Sequence, residues 1–214
     1  MVAICESVNV SKRAGANMGK KSRETKRAIR GLTPEQIAAG RASGHLITLT
    51  RKEILVRLLD TAIWLWFLKR DPVAIHTLAC AALDNLGSLG KDTGKEPTLK
   101  RIYSDAELMQ AYNVFKHASG DPNEITDFPP GVNTILILDT SNSFFKIFGS
   151  RTPYMATFAA YFVVVLAPKF PSGSFDPEAL IFLPENVEVD DVRKLNRVEF
   201  LNKLLPLFER SPLL

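Results

Sequence analysis

The stretch TRKEILVRLLDTAIWLWFLKRDPVAIHTLACAALDNLGSLG, residues 50–90, predicts a pair of helices. Thr50 and Glu53 have the spacing of a capping box, in which each side chain bonds to the other residue's backbone N–H at the start of a helix. Asp71 and Pro72 favour a second start, because aspartate caps free N–H groups and proline fits the first helical position. Since the link between the two helices is short, we expect them to lie antiparallel as a hairpin.

Apolar side chains in both predicted helices recur at helical spacing, which places them on one face of each helix. These two faces should form the core of the hairpin. They consist of Leu55, Leu59, Ala62 and Trp66 in the first helix and of Ile75, Leu78, Ala82 and Leu86 in the second.

Start and stop signals predict further helices after residue 90. Their expected spans are about 104–119, 132–148, 152–167 and 191–210. The third of these is apolar nearly all round and should be the most buried. In the last one, a shared face holds Leu195, Val198, Leu201 or Asn202, and Leu205. The fold class predicted from these signals is all-α, a single bundle of about six helices in a domain of residues 45–214.

Residues 1–44 differ in composition from the rest of the chain. They hold nine Lys or Arg residues against three acidic ones, about +6, whereas the whole chain has a formal net charge of +4. Because large apolar residues are almost lacking, burial cannot offset the entropy lost on ordering this segment, and we predict a disordered basic tail. Thr33 and Pro34 favour one helical turn there, over Thr33–Ala39. If the protein binds nucleic acid, we expect the tail to contact phosphates in a salt-sensitive way.

The composition argues against several classes of protein. The two cysteines, Cys5 and Cys80, do not form a disulfide framework and fit a reducing cytoplasm, with Cys80 as a small buried residue. The uncharged run Tyr154–Ala167 is shorter than the roughly 20 residues that span a bilayer, so we expect no membrane partner. The patterns of P-loop enzymes, typical serine hydrolases and common zinc enzymes do not occur, and we expect no cofactor.

A polar stripe on the helix predicted after Ser104 is the first candidate site. Gln110, Asn113 and His117 follow one another at spacings of three and four, which puts them on one face. Two amides and an imidazole could bind or cleave a phosphodiester, with the imidazole as general acid or base. The plainer interpretation is a polar helix face on which His117 bonds to the last backbone carbonyls.

His76 is the second candidate, as a binding residue. Its plainer interpretation is a histidine at the edge of the core, hydrogen-bonded to a neighbour such as Asp60 or Asp71. A metal site formed by His76, His117 and an acid such as Asp121 is conceivable, but nothing in the spacing demands it, and we predict no metal.

The sequence Tyr112-Asn113-Val114-Phe115-Lys116-His117 resembles the active motif of the HEPN superfamily, R-N-x-x-x-H. The resemblance implies a small helical bundle; many such domains are metal-independent ribonucleases, often in bacterial defence or toxin–antitoxin systems, and others bind nucleotides. Asn113 and His117 match the Asn and His of the motif, whereas Tyr112 stands at the position of its arginine. Residues 60–85 and 113–121 also resemble bacterial helical proteins.

We expect a non-catalytic HEPN-like module that binds RNA, a nucleotide or a partner protein, because the arginine that would stabilise phosphoryl charge is missing. Gln110, Lys116 and His76 are its expected binding residues. The alternative is a ribonuclease in which His117 is the acid or base, Asn113 orients the phosphate and Lys116 replaces the missing arginine. A third possibility is a scaffold or oligomerisation domain. Because HEPN-like domains commonly pair through polar helix faces, we also expect a symmetric homodimer. The aromatic surface for it would come from Trp64 or Trp66 and Phe144 or Phe145.

Overall fold

The computed structural model describes residues 33–44, 46–102, 105–116, 127–169, 183–184 and 187–211. Contacts divide the chain into two units, with the division between Leu49 and Thr50. Within these described residues there are nine α-helices and no strand, which confirms the predicted all-α class and exceeds the predicted count of about six.

The helices of the described residues are numbered in chain order. They are α1 (Pro34–Ala42), α2 (Arg51–Phe67), α3 (Pro72–Gly90), α4 (Thr98–Ile102), α5 (Asp105–Lys116), α6 (Val132–Phe148), α7 (Pro153–Tyr161), α8 (Val189–Arg193) and α9 (Arg197–Glu209). A 3-10 turn, Lys91–Thr93, follows α3. Helix α7 runs on into a π-helical turn, Phe162–Leu166, and a 3-10 turn, Ala167–Lys169.

Helix α1 is the described helix of the first unit. Its start is a capping box, in which the Thr33 hydroxyl accepts from the Gln36 N–H and the Gln36 side chain accepts from the Thr33 N–H. The helical turn expected over Thr33–Ala39 is therefore present, and it runs on to Ala42. Residues 1–32 lie outside the described residues, so the disorder expected for residues 1–44 stays a prediction.

The two helices predicted from residues 50–90 form the centre of the second unit. Glu53 closes the capping box with Thr50, and the Asp71 side chain accepts from the Val73 N–H at 2.9 Å. Helices α2 and α3 make the most extensive contact between any two described elements. All the predicted core residues of this pair are buried except Leu78, which is half-buried.

Helices α6 and α7 complete the core. Helix α6 packs on α3 and ends at Gly149, whose φ of 71° is a left-handed conformation that favours glycine, as the sequence predicted. Residues 155–164 of α7 and its π-helical turn are all buried, which confirms that this segment is the most buried one in the described part of the chain. None of the helices in the described segments has the length and apolar character needed to cross a membrane.

An aromatic core, formed by Trp66, Phe67, Phe158, Tyr161 and Phe200, joins α2, α7 and α9. The ring of Trp66 packs edge-on against Phe158, with centroids 4.9 Å apart, and against Tyr161 at 5.5 Å. Tyr161 meets Phe200 in the same way at 4.9 Å. Edge-to-face contacts of this kind stabilise a core by more than their buried area alone.

The prediction of one continuous last helix over residues 191–210 is wrong. Helix α8 ends at Arg193, and Asn196 starts α9 with its own capping box. The Asn196 side chain accepts from the N–H groups of Val198 and Glu199, which competes with continuing the earlier helix.

This restart changes which face of the last helix is buried. Phe200, Leu201, Leu204 and Phe208 are buried, whereas Val198 and Asn202 are exposed, and Leu195 lies in the break. The face predicted from Leu195 onwards is therefore only partly right, because the register was counted through a break.

Asp60 places a carboxyl group at the edge of this core. It accepts a hydrogen bond of 2.5 Å from the Thr152 hydroxyl, which in turn accepts from the Met155 N–H at the start of α7. Burial raises the pKa of Asp60 to about 6, and the hydrogen bond from Thr152 offsets only part of that rise.

Substitution Asp60→Asn should change how stability depends on pH. Because the pKa of Asp60 is higher in the folded than in the unfolded chain, the wild-type protein loses stability as pH rises from about 4 to about 6. Asparagine keeps an oxygen for Thr152 without the charge. The free energy of unfolding of the variant minus that of the wild type should therefore be about 2–3 kcal/mol larger at pH 7 than at pH 4. Urea denaturation at both pH values measures it.

The matched control is Asp191→Asn, at an exposed aspartate of α8. If the free energies of unfolding of the wild type and of Asp60→Asn differed by the same amount at every pH in this range, the raised pKa of Asp60 would be contradicted.

Candidate functional site

A cleft of about 620 Å³ lies in the second unit, where α2 ends and α3, α6 and α9 begin. Its volume falls in the range of small-molecule sites. Pro72 belongs to the first turn of α3, Gly131 is the N-cap of α6, and Asn196 is the N-cap of α9. The start of α6 has no side-chain cap, so its partial positive charge favours an anion in the cleft, whereas side chains already cap α3 and α9.

Lys69, Arg70 and Arg197 line the cleft as well. None of the three is in an ion pair with another described residue. The nearest acids in sequence, Asp71 and Glu199, accept hydrogen bonds from backbone N–H groups at the starts of α3 and α9. No acidic residue of the described segments lines the cleft, which therefore holds a local excess of positive charge.

Arg197 is held in a fixed position above the aromatic core. Its guanidinium carbon lies 3.7 Å from the centroid of the Trp66 ring, and one Nη donates to the Trp66 carbonyl oxygen at 3.4 Å. The indole N–H of Trp66 is itself bound to the Thr134 hydroxyl of α6 at 3.2 Å. No other hydrogen bond joins this guanidinium to the described residues, so further N–H groups stay available for a ligand.

Lys69 adopts a backbone conformation that usually belongs to glycine. Its φ is 51°, and its N–H bonds to the Trp66 carbonyl while the Arg70 N–H bonds to the Leu65 carbonyl. This pattern is the Schellman motif at a helix end, in which a side chain with a Cβ costs about 1 kcal/mol. Strain of this kind concentrates at functional sites.

The floor of the cleft is mostly closed to solvent. Trp66, Ile75, Asn133 and Tyr161 all line the cleft and are all buried. The Tyr161 ring belongs to the aromatic core, but its hydroxyl makes no hydrogen bond with the described residues.

A chain of hydrogen bonds runs beneath this floor through His76. The Asn133 amide donates to the Pro72 carbonyl at 2.9 Å, and its oxygen lies 2.9 Å from Nδ1 of His76. Since that oxygen only accepts, Nδ1 carries the proton and Nε2 accepts from the Cys80 thiol, 3.4 Å away. The chain ties α3 to α6 and thereby fixes two of the helix starts around the cleft.

The order cysteine, histidine, asparagine is that of a nucleophilic triad, but the environment gives it a structural role. Burial raises the pKa of the Cys80 thiol to about 12 and lowers the pKa of His76 below its usual value. Cys80 is fully buried, as the sequence predicted. Because the thiolate is the nucleophile, a protonated thiol without access to solvent does not attack a substrate.

His76 is hydrogen-bonded to a neighbour, as the plainer interpretation expected, but the predicted partners are wrong. Its partner is Asn133, since Asp60 is bound to Thr152 and Asp71 caps α3. Phe115 and Phe128 pack edge-on against the imidazole, with centroids 5.9 and 4.7 Å away. His76 therefore supports the cleft from below and does not line it.

The polar stripe of α5 is described only in part. Gln110 and Asn113 are exposed and do not line the cleft. Lys116 is the last residue of α5, and its side chain lies outside the described residues, as do His117 and Asp121. Among the described residues no group of three or more His, Cys, Asp or Glu side chains could hold a metal ion.

The sequence did not single out Lys69, Arg70, Arg197 or Tyr161. The Lys-Arg pair directly after an apolar helix is a local signal that could have been noticed. The sequence cannot show that Arg197 lies near this pair, because Arg197 contacts Trp66 at the end of the same helix across 131 positions in the chain. Comparison with known proteins gives no matching family model, no matching curated protein and no matching solved structure.

Two substitutions of Lys69 should separate the effect of its charge on stability from the effect of its strained backbone. Lys69→Gly should raise the free energy of unfolding by about 1 kcal/mol, because glycine adopts this φ without a Cβ penalty. Lys69→Ala removes the same charge and keeps the strain, so it should not stabilise. Urea denaturation of both variants checks this, and equal stability of the two would contradict the strain.

Proposed function

We propose that the second unit is a non-catalytic module that binds RNA or a nucleotide through phosphate in the cleft. The observation that carries this proposal is the meeting of Lys69, Arg70 and Arg197 at one cleft, where no described acid pairs with them. Arginine in particular matches phosphate, because its planar N–H groups can bind two oxygens at once.

The position of Arg197 supports the same ligand. Holding a guanidinium over Trp66 before the ligand arrives reduces the entropy lost on binding. The start of α6, which no side chain caps, adds a positive potential that does not depend on side-chain mobility. Lys69 and Arg70 are placed by the backbone bonds of the Schellman motif at the end of α2.

RNA and nucleotides are also the ligands that the HEPN resemblance implies. The HEPN-like assignment, a bacterial source and a cytoplasmic location are part of this proposal. The ribonuclease alternative depends on His117, which lies outside the described residues, so the proposal is based on the cleft alone.

Binding should be weakened by variants of the cleft and not by loss of charge elsewhere. We expect Arg197→Gln and Arg70→Gln each to weaken binding of a short single-stranded RNA by about tenfold, the loss typical of a charge-assisted hydrogen bond. The measurement is fluorescence anisotropy on the full chain at physiological salt, since low salt exaggerates general attraction.

Lys203→Gln, an exposed lysine on the same helix as Arg197, is the matched control. If it weakened binding as much as the cleft variants do, the affinity would come from overall charge and the proposal would fail.

A symmetric homodimer is a further part of the proposal. Of the aromatic residues considered for its surface, Trp66 and Phe144 are buried, whereas Trp64 is 44 % and Phe145 42 % exposed. Exposed aromatic side chains are favoured anchors in subunit interfaces, and two-fold pairs are the commonest assemblies.

Light scattering at micromolar concentration should give the mass of a dimer for the full chain. Trp64→Ser or Phe145→Ser should shift it towards the monomer, because each removes an apolar anchor. A monomer mass for the wild-type protein would exclude the dimer and leave the cleft proposal untouched.

A further inference from the structure

We infer that the cleft takes the end of its ligand, a terminal phosphate monoester such as the 5′-phosphate of an RNA strand or of a nucleotide. This inference rests on the proposed function and adds to it which kind of phosphate is bound. By this inference, the preferred ligand is not an internal phosphodiester of an RNA strand.

The closed floor is the first observation in favour. Trp66, Asn133 and Tyr161 form it and are nearly inaccessible to solvent, with the aromatic core and the His76 hydrogen bonds beneath. An internal phosphodiester needs an exit for the chain on both of its sides. A monoester needs only one and can turn three free oxygens towards the floor and its cations, whereas an internal diester has two.

The Tyr161 hydroxyl is the second observation. The residue lines the cleft and is only 6 % exposed, and its ring is held by Trp66, Phe67 and Phe200. Its hydroxyl makes no hydrogen bond with the described residues and is not among the fully buried unpartnered atoms. The hydroxyl is therefore open to the cleft that Tyr161 lines, where it can donate to a ligand oxygen in place of water.

The charge of the site is the third observation. A phosphate monoester carries nearly two negative charges at neutral pH and has three strong acceptor oxygens, whereas an internal diester carries one charge. Lys69, Arg70 and Arg197 supply three cationic donors around the cleft. The neighbouring Asp71 and Glu199 carboxylates are engaged at the starts of α3 and α9 and do not line it.

A pair of RNA strands that differ only at the 5′ end tests the inference. The full chain is titrated at physiological salt with a ten-nucleotide RNA carrying a 5′-phosphate and with the same RNA carrying a 5′-hydroxyl. We expect the phosphorylated strand to bind about tenfold more tightly. Adenosine 5′-monophosphate should displace it and adenosine should not. If adenosine 5′-monophosphate displaces the strand at concentrations similar to those at which the strand itself binds, the site takes free nucleotides. If much more of the nucleotide is needed, the site takes the ends of RNA strands.

Tyr161→Phe is the decisive variant, because it removes the hydroxyl and keeps the ring in the aromatic core. It should reduce the preference for the 5′-phosphate several-fold, whereas Tyr154→Phe, on the same helix but outside the cleft, should not. A preference that survives both Tyr161→Phe and Arg197→Gln would place the terminal phosphate elsewhere and overturn the inference.

The two proposals fail in different ways. Equal binding of the two strands, weakened in Arg197→Gln, would overturn the terminal-phosphate inference and leave the proposed function standing. Absence of binding to either strand, or equal binding that Arg197→Gln does not change, would overturn both.

Discussion

The position of the Trp66 side chain is the constraint on which the rest of the second unit depends. Its ring packs against Phe158 and Tyr161 in the core, while its other contacts face the cleft, where its indole N–H binds Thr134 and its carbonyl accepts from Arg197. One residue thus joins α2 to α6, α7 and α9. Because the same ring supports both the core and Arg197, the geometry of the cleft follows from the packing of the core.

Features that depend on neighbouring residues were predictable from the sequence. The starts of α2 and α3 and the stop at Gly149 follow from caps, proline and glycine, and the structure has all of them. The break at Asn196 was missed although its cap is local, because apolar spacing was counted through it. The cleft could not be predicted, since it needs the end of α2 to meet the start of α9, and the partner of His76 is set by the packing of α6 on α3.

The residues of the cleft are unfavourable by local rules, which is typical of functional positions. Lys69 occupies a left-handed position, Arg197 is half-buried without an ion pair among the described residues, and the Tyr161 hydroxyl has no hydrogen bond there. A bound phosphate would satisfy the two cations and the hydroxyl together. The fold supports these positions by means that do not depend on the ligand, namely the aromatic core and the bonds of His76.

The two tryptophans provide the most direct measurement of the central claim, that phosphate binds in this cleft. Trp66 lies under Arg197 with its indole N–H bound to Thr134, whereas Trp64 is exposed and does not line the cleft. Titrating the nitrogen-15-labelled full chain with adenosine 5′-monophosphate should move the indole signal of Trp66 to saturation and leave that of Trp64 unchanged, with Trp64→Phe assigning the two signals. Movement of the Trp64 signal alone, or of neither signal, would contradict the account.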